Sequence, residues 1–163
     1  MAKTCPLTGE PVLYTECLEC EHRGGCPPSA CVRPQFALLI VGSREITDYR
    51  FVRQTIDRFI APIRNKYRFQ IVSGGARGVD SLAERYAHEN GMDLHVIRAQ
   101  WEKYGKAAGP IRNEEMHKYI SSFEHRGCII VWNGKSPGTR YNIPLAKQYG
   151  NQFRLVVFGG ENK

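Results

Sequence analysis

Residues Phe69–Gly91 read FQIVSGGARGVDSLAERYAHENG, and this stretch decides the fold class. The apolar run FQIVSG predicts a buried strand, and Leu82, Ala83 and Tyr86 recur at the spacing of one apolar helical stripe. Gly91 suits the C-terminal cap of that helix because glycine adopts the left-handed backbone conformation easily. A strand joined to a helix by a short glycine-rich loop is the repeating unit of a parallel α/β sheet.

Four more apolar runs predict further strands of the same sheet. They are FALLIVGS (Phe36–Ser43), LHVIRA (Leu94–Ala99), GCIIVW (Gly127–Trp132) and RLVVF (Arg154–Phe158). Helical patterns lie between them, in a stripe from Val52 to Ile63 and in the segments EEMHKYI and IPLAKQYG. This alternation predicts a Rossmann-like, doubly wound parallel sheet of about five strands, with helices on both faces, over residues 35–163.

Charge is distributed unevenly along the 163 residues. The formal net charge is +7, and residues 1–34 hold three basic and four acidic side chains, so the remainder carries +8. Such a balance suits an anionic partner, although it also serves solubility. No apolar run approaches the roughly 20 residues of a membrane span, and the stretch MAKTCPLTGE has no apolar segment typical of a signal peptide. We therefore expect a cytoplasmic protein without a membrane partner.

The first 34 residues differ from the rest and are predicted to form a separate Cys-rich module. Cys17 and Cys20 form a C-x-x-C pair, which is the usual grip of a zinc knuckle. We expect a small structural zinc site in which Cys26 and Cys31 complete the ligand set, with Cys5 as the alternative ligand. Disulfides, a redox pair, an iron–sulfur cluster and unligated thiols are the other interpretations. Cys128 is expected to be a buried strand residue.

Small residues follow the predicted strands, and cations or hydroxyls accompany them. Ligands of open parallel sheets bind beyond the carboxyl ends of the strands, so these loops are the candidate site. After the first strand come Gly42, Ser43 and Arg44. The loop after the second strand contains Ser73, Gly74, Gly75, Arg77, Gly78 and Asp80. The third and fourth loops read QWEKYGKAAGPIRNEE and NGKSPGTRYN.

Glycines would let the backbone approach a ligand, and helix N-termini would offer unpaired N–H groups to an anion. Charge would come from six cations, Arg44, Arg77, Lys106, Arg112, Lys135 and Arg140. Taken alone, each loop is as well explained as a turn, and Ser81 with Glu84 resembles a capping box. The coincidence of several such loops at one sheet edge favours an anion site for a nucleotide. Trp101 or Tyr104 could stack on its base.

Catalytic patterns are weak by comparison. The sequence has no G-x-S-x-G, no P-loop lysine pattern and no H-E-x-x-H. Asp80 is the one carboxylate fixed inside a glycine-rich loop, and it is the candidate catalytic residue. Binding a ribose hydroxyl, acting as a base, or capping and holding its own loop are the roles open to it.

The order of four motifs, VGSR, VSGGARGVD, GPIRNEEM and NGKSPGT, resembles the SLOG superfamily of Rossmann-like proteins, and most closely its YspA-like branch. That superfamily also includes the DNA-processing (Smf/DprA) family and the "lonely guy" phosphoribohydrolases. The resemblance, over roughly Phe36 to Phe158, implies a nucleotide-type pocket above the strand ends. It adds two groups of residues to the candidate site. These are the pair Arg112 and Asn113, and Ser136, Gly138 and Thr139 of the last loop.

Three functions follow from these observations. The first is binding of a nucleotide or nucleotide-derived small molecule, as a sensor or regulator. An alternative is binding of single-stranded nucleic acid, as in the DNA-processing family. The last is hydrolysis of a nucleotide N-glycosidic bond, but the phosphoribohydrolases carry a glutamate after their last loop where this chain has Arg140, Tyr141 and Asn142. The resemblance also implies a homo-oligomer.

Overall fold

The computed structural model describes residues 33–159, together with the backbone of Lys3–Thr4 and Pro11–Val12. Those two short segments pair as antiparallel strands, with Lys3 opposite Val12. The predicted zinc ligands Cys17, Cys20, Cys26 and Cys31, and the alternative ligand Cys5, lie outside the described residues. The zinc module and the boundary after residue 34 therefore stay predictions.

Five parallel strands form the main sheet, which confirms the predicted fold class. The strands are β1 (Gln35–Gly42), β2 (Arg68–Ser73), β3 (Asp93–Val96), β4 (His125–Trp132) and β5 (Phe153–Val157). Their spatial order is β3-β2-β1-β4-β5, and every neighbouring pair is parallel. In register, Leu38 of β1 lies opposite Ile71 of β2 and Gly127 of β4.

Two strands differ from their predicted bounds for reasons of pairing. β3 ends at Val96, before the predicted Ala99, because its partner β2 ends at Ser73 and offers no further backbone to pair with. β4 begins at His125, two residues before the predicted Gly127, because β1 extends its pairing back to Phe36. In both cases the neighbouring strand sets the limit.

The helices connect the strands across both faces of the sheet. They are α1 (Tyr49–Ile60), α2 (Val79–Glu89), α3 (Trp101–Tyr104), α4 (Ala108–Ser121), α5 (Pro137–Arg140) and α6 (Asn142–Gln148). The carboxylate of Asp48 caps α1 by accepting a hydrogen bond from the N–H of Phe51 at 3.0 Å. Gly91, with φ of 60°, ends α2 as predicted. There the N–H of Met92 reaches the carbonyl of Ala87, which is one of the bonds of a Schellman motif.

The core lies on both faces of the central strand β1, whose residues from Ala37 to Ile40 are fully buried. Leu38 and Ile40 belong to the cluster that packs under α1 and α2. Ala37 and Leu39 belong to the cluster under α4. Residues buried on both faces explain why the strand is a continuous apolar run rather than an alternating one. Each fully buried leucine or isoleucine contributes roughly 1.5–3 kcal/mol relative to an exposed one.

The strand order reverses between β1 and β4. The chain leaves β1 toward β2 on one side, and after β3 it crosses to β4 on the other side of β1. The loops that follow β1 and β4 therefore diverge and leave a crevice at the carboxyl edge, which is where sheets of this kind bind ligands. Among the described residues, no helix is both long enough and apolar enough to cross a membrane.

Candidate functional site

A cavity of about 820 Å³ opens in this crevice, and the segments that follow β1, β2, β3 and β4 all line it. After β3 the lining residues Trp101, Arg112 and Asn113 lie on helices α3 and α4, so the third segment, predicted as a loop, is largely helical. Among the predicted site residues, those that line it are Gly42, Ser43, Arg44, Arg77, Asp80, Arg112, Asn113, Ser136, Gly138 and Thr139. Its size is that of a small-molecule pocket, which typically measures roughly 300–1,000 Å³. The predicted convergence of the loops at one sheet edge is therefore what the structure shows.

Ser43 lines the cavity, but its polar groups connect the first loop to neighbouring parts of the chain. Its buried hydroxyl accepts a hydrogen bond from the N–H of Asn133 at 3.1 Å and lies 3.3 Å from the hydroxyl of Thr139. Its carbonyl accepts the N–H of Val79 at 3.4 Å. One residue thus joins the loops after β1 and β4 to the start of α2.

Glycine is required at two positions where these loops touch. A Cβ on Gly42 would stand 2.5 Å from the carbonyl oxygen of Val131. At Gly78, φ is +79° and a Cβ would lie 2.5 Å from the carbonyl oxygen of Ser43. A side chain at either position would push apart the loops that enclose the cavity.

The second loop holds itself together through Ser73. Its buried hydroxyl donates to the carboxylate of Glu84 at 2.8 Å and accepts the N–H of Gly75 at 3.1 Å. Ser73 therefore does not line the cavity, and Gly74 and Gly75 line a neighbouring one instead. The interpretation of Ser81 and Glu84 as a capping box is wrong. α2 begins after Gly78, so Ser81 lies inside the helix and Glu84 is engaged by Ser73.

Asp80 and Arg112 form a buried pair beneath the loop after β2. The Asp80 carboxylate accepts the N–H of Ala76 at 3.4 Å and lies 3.9 Å from Nη1 of Arg112. Burial raises the pKa of Asp80 from 3.8 to about 6, although Arg112 and the nearby backbone N–H groups act in the opposite direction. Arg112 also donates to the carbonyl of Gly74 at 2.8 Å and to Oδ1 of Asn113 at 3.1 and 3.0 Å. The pair fixes the conformation of the loop, and both side chains form part of the cavity wall.

Behind Asn113, a buried chain of side chains connects α4 to the last loop. Nε2 of His117 lies 3.2 Å from Oδ1 of Asn142, whose amide group donates to the carbonyls of Gly138 and Thr139. On the other side, the amide group of Asn151 lies 3.3 Å from Nδ1 of His117. These partners place the ring proton on Nε2, and burial lowers the pKa of His117 to about 4. The histidine is therefore neutral at pH 7.

The loop after β4 is built around Asn133 and Ser136. Oδ1 of Asn133 accepts the N–H groups of Lys135 and Ser136 at 3.0 and 2.9 Å. The Ser136 hydroxyl caps α5 by accepting the N–H of Thr139 at 3.4 Å. The polar side chains of this wall thus already hold protein partners, and their main effect is to fix the shape of the cavity.

Four exposed cations supply the free charge of the cavity: Arg44, Arg77, Lys106 and Lys135. With buried Arg112 they make five basic lining residues against two acidic ones, Glu45 and Asp80. Arg140 does not line the cavity. Within the described part of the chain, the backbone N–H groups of Arg44 and Arg77 have no protein acceptor. This cavity wall can therefore receive an anion.

Trp101 provides the aromatic surface of the site. Half of its surface is exposed, and the guanidinium carbon of Arg44 lies 5.7 Å from its ring centroid. Tyr104, the other predicted stacking residue, does not line the cavity. A flat ring beside a guanidinium group is a surface on which a nucleobase can stack.

The lining residues that were not predicted from the sequence include Glu45, Asn133 and Tyr141. They lie within the quoted loops or one residue beyond a predicted site residue, so proximity was the only signal for them. Glu114 of the segment after β3 accepts a hydrogen bond from Tyr149 at 2.8 Å and does not line the cavity. Between residues 33 and 159, no group of three His, Cys, Asp or Glu side chains could hold a metal ion.

Comparison with known proteins relates this chain to a family and to a phage protein. The family model of the YspA, cpYpsA-related SLOG family (YAcAr) matches residues 36–104. The gene 61 protein of Mycobacterium phage D29 is 34% identical over 127 residues, which cover 75% of this chain and 95% of that protein. These matches confirm the resemblance that the four loop motifs indicated.

Two solved structures share the fold. The X-ray structure of DNA processing protein A (DprA) from Streptococcus pneumoniae has a TM-score of 0.50 and 19% sequence identity. The match covers 80% of this chain and 52% of that one, so this chain spans about half the length of DprA. The X-ray structure of TM1055 has a TM-score of 0.51 and 17% identity, over 72% of this chain and 71% of that one.

Proposed function

The chain belongs to the YspA- and cpYpsA-related SLOG family, and we propose that it binds a nucleotide or nucleotide-derived ligand as a sensor or regulator. Family membership supports a role in nucleotide or nucleic-acid binding in general. The observation that carries the proposal is the cavity at the reversal of strand order, where five basic side chains line the wall.

A phosphate group would bind where Arg44 and Arg77 meet. Each offers an exposed guanidinium and, among the described residues, a backbone N–H without a protein acceptor. Helix α2 begins at Val79, directly after Arg77 and Gly78, so its positive dipole end faces the same region. Charge-assisted hydrogen bonds of this kind typically contribute roughly 1.5–3 kcal/mol each.

A base would stack on Trp101. Its half-exposed ring borders the cavity, and Arg44 lies beside it. Because the wall amides of Asn113, Asn133 and Asn142 already hold protein partners, recognition would depend on charge and stacking more than on base edges.

A sensing or regulatory role fits the state of the carboxylates. Asp80 is buried against Arg112 and holds its own loop, while Glu45 accepts a hydrogen bond from the side chain of Asn133 at 3.2 Å. Both are already engaged by protein groups, which favours a binding function over general acid–base chemistry.

The proposal is tested by calorimetry and thermal shift with AMP, GMP, CMP and UMP, each compared with its nucleoside. We expect at least one nucleotide to raise the melting temperature by several degrees, and its nucleoside to have little effect. Arg77→Ala should weaken binding roughly tenfold, which corresponds to about 1.4 kcal/mol. Arg58→Ala, at an exposed arginine of α1 that does not line the cavity, should leave binding unchanged. Failure of all four nucleotides and of the corresponding nucleoside diphosphates at millimolar concentration would refute the proposal.

Single-stranded nucleic acid is the second candidate ligand, favoured by the net charge of +7 and by the exposed cations around the cavity. Anisotropy titrations of a labelled (dT)20 oligonucleotide should then show affinity that falls steeply with salt. Binding of mononucleotides without binding of the oligonucleotide at low salt would exclude this candidate.

The predicted homo-oligomer can be tested on the same purified protein by light scattering, which measures the mass of the particle in solution.

A further inference from the structure

A second cavity, of about 450 Å³, lies beside the first, on the β3 side of the loop after β2. Arginines make up four of its nine lining residues, and no acidic residue lines it. The nine are Arg44, Gly74, Gly75, Ala76, Arg77, Arg98, Ala99, Trp101 and Arg112. Arg112 is buried and holds the loop after β2 in place, whereas Arg44, Arg77 and Arg98 are exposed.

Arg98 is the residue that sets this cavity apart from the first one. It follows β3, is exposed, and lines only the second cavity. Nη1 of Arg98 lies 3.5 Å from the carbonyl oxygen of Gly75. A Cβ on Gly75 would come within 2.9 Å of this nitrogen. The glycine therefore lets the guanidinium lie directly against the loop.

The exposed arginines here are not neutralised by the part of the chain that the structure describes. No carboxylate of those residues lies within 4.0 Å of the guanidinium nitrogens of Arg44, Arg77 or Arg98. By contrast, Arg68, one strand away on β2, lies 3.4 Å from Asp93. Unpaired guanidinium groups lining one concavity attract an anion more strongly than the same groups scattered over a surface.

The two cavities meet at a common wall. Both are lined by Arg44, Ala76, Arg77, Trp101 and Arg112. A ligand whose first phosphate binds to Arg44 and Arg77 would thus contact two residues that also line the second cavity. Guanidinium groups suit phosphate oxygens because their planar forks donate two parallel hydrogen bonds.

We infer that the second cavity is a subsite for a second phosphate group of the same ligand, and that Arg98 is its specificity-determining residue. The inference rests on the proposed function and narrows it. The ligand class is a nucleotide with at least two phosphate groups, joined either as a diphosphate chain or through the sugar of a phosphodiester-linked dinucleotide.

The test compares AMP, ADP and the 5′-phosphorylated dinucleotide pApA by calorimetry at one fixed ionic strength. The proteins are the full chain, Arg98→Gln, and Arg58→Gln as the control at an exposed arginine outside both cavities. We expect ADP or pApA to bind at least tenfold more tightly than AMP. Arg98→Gln should remove that preference to within twofold and leave the AMP affinity unchanged. Arg58→Gln should change neither.

The pattern of results separates the possibilities. A gain with ADP assigns a phosphate chain, and a gain with pApA alone assigns a phosphodiester-linked unit. Equal affinity of the wild-type protein for all three probes would overturn the inference, and so would a loss in Arg98→Gln that is as large for AMP as for the others. If AMP, ADP and pApA all fail to bind the wild-type protein, the proposed function itself is refuted, and the inference with it.

Discussion

Replacing Asp80 with asparagine should change how the stability of the protein depends on pH. Burial raises the pKa of this carboxyl group from 3.8 to about 6 in the folded protein. The folded state therefore holds the proton more tightly than the unfolded state. The contribution of Asp80 to stability is therefore fully present below about pH 4, declines as the pH rises toward about 6, and is lost above that pH. The pKa difference corresponds to roughly 3 kcal/mol, because one pKa unit is about 1.36 kcal/mol.

Asparagine has nearly the same shape and stays neutral at every pH. Asp80→Asn should therefore not lose stability as the pH rises from about 4 to about 6. Removing a charge beside Arg112 has a cost of its own, but three hydrogen bonds from that guanidinium, to Gly74 and Asn113, remain. Relative to wild type, the variant should gain up to about 3 kcal/mol in unfolding free energy between pH 4 and pH 7.5.

Urea denaturation at pH 4.0, 5.0, 6.0 and 7.5, followed by circular dichroism, measures this difference. Glu124→Gln removes an exposed carboxylate and is the control, for which the difference from wild type should stay nearly constant. A difference between Asp80→Asn and wild type that does not vary with pH would refute the argument. A shift in favour of wild type as the pH rises would show that the ion pair with Arg112 outweighs burial.

Three further predictions concern other parts of the chain. Gly78→Ala should lower the unfolding free energy by roughly 3 kcal/mol, because φ is +79° and the new Cβ would meet the carbonyl oxygen of Ser43 at 2.5 Å; Gly138→Ala, where a Cβ meets nothing within 4 Å, should be nearly neutral, and equal losses in the two would contradict this. His117→Ala should lower the unfolding free energy by roughly 3 kcal/mol, because Oδ1 of Asn142 and the side-chain amide of Asn151 each lose a buried hydrogen-bond partner. In wild type, a nitrogen-15 spectrum at pH 6 should show a neutral His117 with its proton on Nε2. Metal analysis of the purified full chain should find about one zinc ion per chain, lost when Cys17 and Cys20 are both replaced by serine; a metal-free wild type would refute the zinc module.

The fold was predictable because strands buried on both faces leave short continuous apolar runs, as in residues 36–41, and these runs alternate with segments of helical periodicity. The positions of the loops followed from the same runs. The order of the strands did not, because apolar periodicity says which residues are buried and not which strand lies beside which. The end of β3 depended likewise on its partner β2.

Within the candidate site, glycines and cations were predictable and the direction of polar side chains was not. Ser43 and Ser73 look from sequence like ligand-binding hydroxyls, yet both hydroxyls are buried and bonded to protein groups. Arg112 similarly binds the carbonyl of Gly74 from a buried position. The partners of these side chains come from loops that are distant in sequence. The sequence alone therefore does not show whether such a side chain faces a ligand or holds a loop in place.

The bonding of Ser43 bears on the kinetics of ligand capture. Its hydroxyl and carbonyl connect Asn133, Thr139 and Val79, so three loops are fixed relative to one another before any ligand arrives. The conformational entropy of these loops is lost when the protein folds, so ordering them adds no free-energy cost when the ligand binds. Capture should therefore proceed without a slow rearrangement step, at a rate that depends on the encounter of opposite charges and falls with ionic strength.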